Sequence, residues 1–461
     1  MLCAAVTTIS MLLPLTFKMS ALSSIIMLSG IYYGAHHAGS TTAIMLNMPG
    51  EPTSVVICLD GYPMARQGRA GSALCISALG SFFAGCVGVL VIAAFSPSLA
   101  AVALRFGPAE YTSLIVLALI AVSVVNAGST LISIAMAVLG LLLGTVGTDI
   151  SSAQQRFVFG IPNITDGISF VALAVGLFAF SHIIGELNRD VAVRNVATTT
   201  PRLLPSAEDL WAAWKPILRG TALGAAIGIF PGTGPLVASF VAYSLERRIA
   251  RDPSRFGNGA VEGVAGPESA NNAAAFTHFI PMLTLGIPAG AAMALMLAAL
   301  QIQGIGAGPE MMSKHADLFW GVMASMLMGN LMLLVLNLPL VGIWIRLLAV
   351  PYRFLYPVVL VCCCIGTYSV SNSSADVVLA AGAALVGFVF ARLDCRPAPL
   401  MLGFILEPTL EENFRRALIL SGGHATVFVT RPISLAIVLA AVAMLVAFSV
   451  PALTRKAKSM L

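Results

Sequence analysis

Long apolar runs recur along the whole chain. Crossing the roughly 30 Å hydrocarbon core of a bilayer takes about 20 residues of α-helix, and about eleven runs in this sequence approach or reach that length. Of the 461 residues, 58% are hydrophobic and only 10% are charged, which is more apolar than a soluble domain. The runs are continuous and rich in Leu, Ala, Gly and Met, whereas barrel strands would be short and alternating. The sequence therefore predicts an all-α polytopic membrane protein.

One stretch, residues 259–290, interrupts this apolar pattern. Glu268, Asn271 and Asn272 stand inside it, and the Gly286-Ile287-Pro288 break follows them. A helix that breaks at membrane depth is tolerated only where its backbone is buried in protein or lines a water-filled cavity. The stretch is therefore predicted to form half of a solute-binding site.

A second stretch, residues 34–52, has a similar order of features. Small residues and hydroxyls precede the apolar segment MLNMP and a Gly, much as Asn-Asn-Ala precedes MLTLGIP and Ala-Gly in residues 266–290. Corresponding Pro and Gly interruptions in two halves of a chain point to a transporter site. We therefore predict two inverted-topology repeats with re-entrant or broken helices and about 11–12 transmembrane helices in all. Their predicted bounds are 1–184 for the first repeat, 185–219 for a polar linker, and 220–461 for the second repeat and C-terminal helices.

Charge and motif content exclude several other classes. The net charge of +5 comes from Lys and Arg in short loops, which fits the setting of membrane topology rather than nucleic-acid binding. The basic residues Arg455, Lys456 and Lys458 predict a cytoplasmic C-terminus. The eight cysteines lack zinc spacing. No HExxH helix or GxSxG elbow indicates an intramembrane enzyme, so no catalytic residues and no metal site are predicted.

Several longer motifs occur in a fixed order along the chain. They are GIYYGAHHAGSTTAIMLNMPGEP (30–52), LDGYPMARQGRAG (59–71), GLLLGTVGTD (140–149), FGIPNITDGISF (159–170), GIFPGTGP (228–235), FGNGAVEGVAGPESANNAA (256–274), LTLGIP (283–288) and LEENFRRALILSGGHATVFVTRPIS (410–434). This series resembles the large membrane subunit of the tripartite tricarboxylate transporters.

The resemblance implies a permease of a secondary-active, ion-gradient-driven importer of tricarboxylates or related carboxylates. Its implied partners are a small four-helix membrane subunit and a periplasmic solute-binding protein, and its implied location is the bacterial inner membrane. It implies no cofactor, with Na⁺ or H⁺ as coupling ion. The alternatives are an ion channel or another, non-carboxylate secondary transporter; a channel would need neither paired broken helices nor a binding protein.

The sequence also departs from the family pattern. An earlier PGLGP-like motif, the expected partner of residues 231–235, is absent, so the first repeat is expected to be N-terminally incomplete through a late start site or a true truncation. His36 and His37 stand where the family usually has non-ionisable residues, and Ala38 replaces a usual Gly. Thr277-His278 replaces small residues. These changes lie beside the predicted site, which favours an unusual substrate or coupling ion.

To bind an anion, a low-dielectric cavity needs hydrogen-bond donors that supply positive potential without themselves requiring a counter-charge. Unpaired N–H groups at broken helices supply them, and side-chain amides and hydroxyls can hold substrate oxygens. The predicted substrate-binding residues are Ser40, Thr41, Thr42, Gly50, Gly232, Thr233, Gly234, Glu268, Asn271, Asn272, Gly286 and Pro288.

The coupling ion requires ligands of a different kind. Sodium would take backbone carbonyls freed at the two breaks together with side-chain oxygens. The residues predicted for this role are Asn47, Pro49, Thr284 and Ile287. The many amides and hydroxyls favour sodium, whereas a proton would need a titratable group, for which the candidates are Glu268, His36, His37 and His278.

Each of these features also has a purely structural interpretation. Pro288 can be a simple helix kink, and the glycine-rich residues 224–234 can be a helix-packing surface. His36 and His37 can be packing groups. Glu51, Asp60 and Glu262 can be interfacial loop carboxylates, and Arg415 with Arg416 can form a cytoplasmic charged face.

Overall fold

The computed structural model describes residues 5–47, 49–125, 129–149, 152–181, 183–184, 205–230, 234–309, 311–340 and 352–459. In these residues the only strands are a two-residue antiparallel pair, β1 (Gly147–Thr148) and β2 (Gln155–Arg156). The rest of the regular structure is helical, and the predicted all-α polytopic membrane fold is confirmed.

The helices before residue 185 include one of 34 residues. Their bounds are α1 (Ala5–Leu12), α2 (Ala21–Leu46), α3 (Val55–Met64), α4 (Ala70–Ala103), α5 (Pro108–Val125), α6 (Thr130–Gly144) and α7 (Phe170–Ala174). Short 3-10 segments lie at Leu13–Lys18, Pro52–Ser54 and Pro162–Ile164, and π segments lie at Ala65–Arg69 and Val175–Phe180.

The helices after residue 204 are interrupted more often. Their bounds are α8 (Ala207–Gly228), α9 (Gly234–Ile249), α10 (Glu262–Thr277), α11 (Phe279–Leu285), α12 (Ala291–Ile302), α13 (Met311–Lys314), α14 (Ala316–Asn337), α15 (Tyr352–Ser371), α16 (Ser374–Arg392), α17 (Pro397–Leu420), α18 (Val427–Thr430) and α19 (Pro432–Ser459). A 3-10 segment at Pro253–Arg255 precedes α10.

Three of the described helical segments are long and apolar enough to cross a membrane, namely Pro52–Ala103, Ala316–Asn337 and Ser374–Arg392. Shorter apolar helices are Ala5–Lys18, Pro108–Val124, Thr130–Gly144, Phe170–Phe180, Ala291–Ile302 and Pro432–Val446. The predicted total of spans and the division into repeats stay predictions. Residues 185–204 of the predicted linker lie outside the described residues, and 207–219 form the start of α8.

Helix α10 lies at the centre of the fold, and every residue from Gly263 to Thr277 is buried. Its neighbours approach closely because they turn glycines toward it. A Cβ at Gly224 of α8 would collide with the carbonyl oxygen of Ala270, and a Cβ at Gly88 of α4 would lie 2.6 Å from the Cβ of Phe276. This confirms the interpretation of Gly224 as part of a helix-packing surface.

The two predicted breaks have the same local geometry. Asn47 ends α2 in the left-handed region (φ 53°), and Gly286 ends α11 in the same region (φ 69°). In each case the backbone N–H of the left-handed residue donates to the carbonyl five residues earlier, that of Thr42 or Pro281. A positive φ favours Gly or Asn, which are the two residue types found here.

After its break the chain folds back along α2. The N–H of Gly50 donates to the carbonyl of Gly39 at 3.4 Å, and a Cβ at Gly50 would lie 2.7 Å from the Cα of Gly39. Further along, Thr53 Oγ1 lies 3.4 Å from Nδ1 of His36. The segment between α2 and α3 therefore runs back for about three helical turns, the rise between residues 47 and 36.

Candidate solute-binding site

Helices α2 and α10 form an antiparallel pair through polar and aromatic contacts. Ser40 of α2 contacts Glu268 of α10, Tyr33 stacks on Phe276 with 5.2 Å between ring centroids, and the Tyr32 hydroxyl lies 3.2 Å from Nδ1 of His278. As the residue number rises along α2, the partner number therefore falls along α10. This interface brings the polar residues of the two predicted half-sites together.

Glu268 is the hub of this interface. Its side chain is fully buried. Its Oε2 accepts from the Ser40 hydroxyl at 2.5 Å, and its Oε1 accepts from the Ser81 hydroxyl at 2.9 Å and from Asn272 Nδ2 at 3.1 Å. Asn272 Nδ2 also donates to Ser81 Oγ at 2.8 Å. Three helices, α2, α4 and α10, thus meet at one carboxylate.

Asn271 lies one turn from Glu268 on α10 and is only 1% exposed. Neither its Nδ2 nor its Oδ1 has a hydrogen-bond partner among the described residues, and the same holds for Oδ1 of Asn272. A buried amide that makes no hydrogen bond costs free energy. Such groups therefore need an explanation beyond packing.

Three buried histidines lie beside this hub, and we call His36, His37 and His278 the histidine cluster. Each is at most 4% exposed. The ring of His36 packs edge-on against Tyr32 with 4.8 Å between centroids. His278, at the turn between α10 and α11, faces the start of α9, because a Cβ at Gly234 would lie 4.0 Å from its Cε1. Nε2 of both His36 and His278 has no partner among the described residues.

The structure places the other predicted substrate residues at differing distances from this hub. Thr41 and Thr42 are buried, and Thr42 Oγ1 donates to the Gly39 carbonyl at 2.9 Å. Gly50 packs on Gly39, and Gly234 lies beside His278. Gly232 and Thr233 lie outside the described residues.

The predicted ion-coupling residues are not brought together. Because α2 and α10 are antiparallel, Asn47 lies beyond Ser40 in one direction, whereas Thr284 and the Gly286–Pro288 break lie beyond His278 in the other. Thr284 Oγ1 donates to the carbonyl of Ile280 at 2.6 Å, and the side chain of Asn47 is exposed. Pro49 is half-buried near Asn47, and Ile287 packs with Leu114 of α5. The described oxygen atoms at the two breaks therefore do not surround one common ion site.

Comparison with known proteins agrees with the sequence motifs. The family model described as the tripartite tricarboxylate transporter TctA family matches residues 3–402. The chain belongs to this family. It is therefore the large subunit of a tripartite tricarboxylate transporter, a type of system with a small membrane subunit and a periplasmic binding protein.

Two relatives of this TctA-family chain come from Agrobacterium vitis. The "Uncharacterized 52.8 kDa protein in TAR-I ttuC' 3'region" is 51% identical over 453 residues, which are 97% of this chain and 89% of the relative. The "Uncharacterized protein in TAR-II ttuC' 3'region" is 53% identical over 211 residues, which are 46% of this chain and 87% of the relative. No solved structure matches.

Sequence reasoning missed three residues of the site in this TctA-family chain. Ser81 binds Glu268, Tyr32 binds His278, and Thr53 lies against His36. A signal for Ser81 exists in the sequence, because Ser77, Ser81 and Gly85 recur every four residues on one face of α4. Polar and small residues on one face indicate a contact in an otherwise apolar helix. Tyr32 and Thr53 have no such signal.

Asp60 differs from its interpretation as a loop carboxylate, since it lies in α3 and is fully buried. Its Oδ1 accepts from the backbone N–H groups of Gly257, Gly259 and Ala260 at 2.8–2.9 Å, and its Oδ2 accepts from the Tyr243 hydroxyl at 3.0 Å. These bonds fix the loop that leads into α10. Asp60 therefore positions the helix that carries Glu268.

The other carboxylates and basic residues divide between surface and interior. Glu51 is buried and accepts from the backbone N–H of Ala5, so it too differs from a loop carboxylate. Glu262 pairs with Arg255 at 3.4 Å near the surface, and Arg416 pairs with Glu412 on an exposed face, as expected. Arg415 instead reaches Asp149 at 3.0 Å and ties α17 to the β-hairpin.

A cavity of about 610 Å³ lies away from these residues. It is lined by α5, α6, α17, α18 and α19, with Glu407 and Glu411 as its acidic residues and mostly apolar side chains elsewhere. It contains none of the predicted site residues. The convergent polar groups of α2, α4 and α10 are therefore the stronger candidate site.

Proposed function

We propose that this chain is the permease of a secondary-active, ion-gradient-driven importer of tricarboxylates or related carboxylates in the bacterial inner membrane. A periplasmic binding protein delivers the substrate, and a small four-helix membrane subunit completes the complex. The observation that carries the proposal is the buried amide of Asn271, which has no hydrogen-bond partner in the described part of the chain and lies beside the Glu268 hub.

The chemistry around Asn271 suits an anion. An amide nitrogen donates to a carboxylate oxygen, and an amide oxygen accepts from a substrate hydroxyl or acid group. Helix α9 begins at Gly234 beside His278, and the first N–H groups of any helix have no partner within the helix. These donors favour negative charge without adding a buried cation.

The matched breaks support alternating access. Asn47 and Gly286 end their helices with the same left-handed cap and the same hydrogen bond to the fifth preceding carbonyl. Equivalent breaks in two halves of a chain are expected from inverted repeats, in which each half contributes one broken element. We therefore infer that residues 34–52 and 266–290 are corresponding elements that move relative to each other during transport.

The proposal is tested by uptake into proteoliposomes that contain the chain, a small membrane subunit and a binding protein. The probes are labelled citrate, malate and succinate, offered with a sodium gradient or a pH gradient. Substrate uptake should require the binding protein and should fall by about tenfold or more in Asn271→Ala, the cost of about one hydrogen bond to a charged ligand. Undiminished uptake by Asn271→Ala and Glu268→Gln would overturn the site assignment.

A further inference from the structure

Packing alone does not explain the arrangement of the histidine cluster. His36 and His278 sit on different predicted halves of the chain, and Tyr32 joins them through its hydroxyl to His278 and its ring to His36. In each imidazole, Nδ1 contacts a neighbouring hydroxyl. The contact of His36 is with Thr53 Oγ1, and that of His278 is with the Tyr32 hydroxyl. Nε2 of each ring is the position left for a proton or a substrate oxygen.

From this geometry we propose that the coupling ion is the proton and that His36 and His278 bind it together with the carboxylate. This inference rests on the proposed function. When the anion enters, each Nε2 takes a proton from a hydronium ion of the outer solution, so one N–H bond forms and one O–H bond breaks at each ring. After the transition, each imidazolium returns its proton to water on the cytoplasmic side as the carboxylate leaves.

The surroundings of the two histidines favour a proton that arrives with an anion. The titratable groups that face them are each other and His37 and Tyr32 on α2, and Glu51, after the first break, acts on Tyr32. Among the described residues, no Lys or Arg forms an ion pair with Glu268 or Glu51. A buried positive charge is stable only when paired, and an incoming carboxylate supplies the pair.

Glu268 is a weaker candidate for the proton carrier. Both of its oxygens already accept hydrogen bonds from Ser40, Ser81 and Asn272, so the network holds it as an acceptor. Releasing a proton from Glu268 in each cycle would require this three-helix junction to rearrange. The histidines can change charge at Nε2 without disturbing a bond in the described structure.

A sodium site at the predicted oxygens fits less well. Thr284 donates its hydroxyl to Ile280, and the carbonyl of Pro281 accepts from both Gly286 and Ile287. Asn47 lies at the opposite end of the α2–α10 pair. A hard cation needs several oxygens at one point, and these residues do not converge.

The test separates net uptake from exchange in proteoliposomes that contain the whole complex. Labelled citrate, malate and succinate are offered in sodium-free buffer with an alkaline interior, and counterflow is measured at equal pH on both sides. Counterflow needs no net proton movement. The variants are His36→Gln and His278→Gln, which keep a hydrogen-bonding side chain without a titratable ring, and the control is the exposed His424→Gln.

Wild type and the control should accumulate substrate when the pH gradient is imposed. At saturating substrate the two cluster variants should retain counterflow but lose this net uptake by about tenfold or more, and their half-saturation concentration for counterflow should rise because the imidazolium that pairs with the carboxylate is gone. Equal loss of counterflow and net uptake would indicate a structural role and overturn the inference. Net uptake that follows the pH gradient in the variants would overturn it as well.

Wild-type behaviour distinguishes the two proposals. If an inward sodium gradient drove uptake and the pH gradient had no effect on it, the proton inference would be overturned and the proposed importer would stand. No uptake or counterflow of any of the three carboxylates, with all partners present, would overturn the proposed function itself.

Discussion

Ser40 donates its hydroxyl hydrogen to Glu268 over 2.5 Å and thereby joins α2 to α10 across 228 positions of sequence. Ser81 completes the contact from α4. The carboxylate is fully buried, so its free energy in the folded state depends on these donors. The junction gives Glu268 a structural role in addition to its proposed role in substrate binding.

Glu268→Ala should destabilise the protein strongly, because it leaves the buried hydroxyl donors of Ser40 and Ser81 without their acceptor. Each buried donor left unpaired costs about 1–3 kcal/mol. Glu268→Gln keeps the shape and two acceptor lone pairs, so its loss of stability should be smaller. The measurement is thermal unfolding of the detergent-purified protein. Equal unfolding temperatures for wild type and Glu268→Ala would contradict the hub.

Asn271→Ala should reduce transport without a comparable loss of stability. Its amide makes no hydrogen bond in the described structure, so its removal should change the unfolding free energy by no more than about 1 kcal/mol. The matched control is Asn330, a buried asparagine of α14 whose Nδ2 donates to the Phe82 carbonyl at 2.8 Å. Asn330→Ala should destabilise the protein and spare the substrate affinity. Unfolding and uptake assays check both variants. If Asn271→Ala lost stability but kept transport, there would be no reason to place a ligand at Asn271.

Gly224→Ala should force α8 away from α10, because the new Cβ meets the carbonyl of Ala270. Overpacking of this kind costs about 1–3 kcal/mol, since a backbone cannot rotate away as a side chain can. Gly382 of α16 has no heavy atom within 4 Å of the added Cβ. Gly382→Ala should therefore stabilise the protein by about 0.5–1 kcal/mol through helix propensity. Chemical unfolding of both variants measures whether Gly224→Ala lowers the free energy of unfolding and Gly382→Ala raises it.

The salt bridge between Asp209 and Arg69 predicts a pH dependence at the start of α8. Burial alone would raise the pKa of Asp209, but the Ser72 hydroxyl and the Arg69 charge at 2.6 Å outweigh it and hold the pKa below its usual 3.8. A group whose folded pKa is lowered stabilises the protein above its unfolded pKa and loses this contribution as the pH falls through the folded value. The contribution is present at neutral pH and declines below about pH 3.8.

Asp209→Asn should therefore lower the unfolding temperature at pH 7 and have less effect at pH 3. The pair is partly exposed, so the loss should be about 0.5–1 kcal/mol. Glu208→Gln, an exposed neighbour, serves as the control. If wild type exceeded Asp209→Asn in stability by as much at pH 3 as at pH 7, this assignment would be contradicted.

The sequence by itself determined the class of protein, the location of both breaks and the polar composition of the site. Apolar run length and scarce charge require membrane helices, and an Asn or Gly that can adopt a positive φ shortly before a Pro favours a helix end. The geometry at Asn47 and Gly286 follows from these local rules, and the motif series was sufficient to predict the family.

Only the tertiary structure decided which of these residues meet. The antiparallel packing of α2 on α10 brings Ser40 to Glu268 and Tyr32 to His278 while it separates Asn47 from Thr284. Burial of Asp60 likewise depends on a loop almost 200 residues later, which no local pattern encodes. Helix pairing in a membrane depends on close contact between faces rather than on a hydrophobic driving force. The partner of each polar residue therefore becomes known only when the helices are assembled.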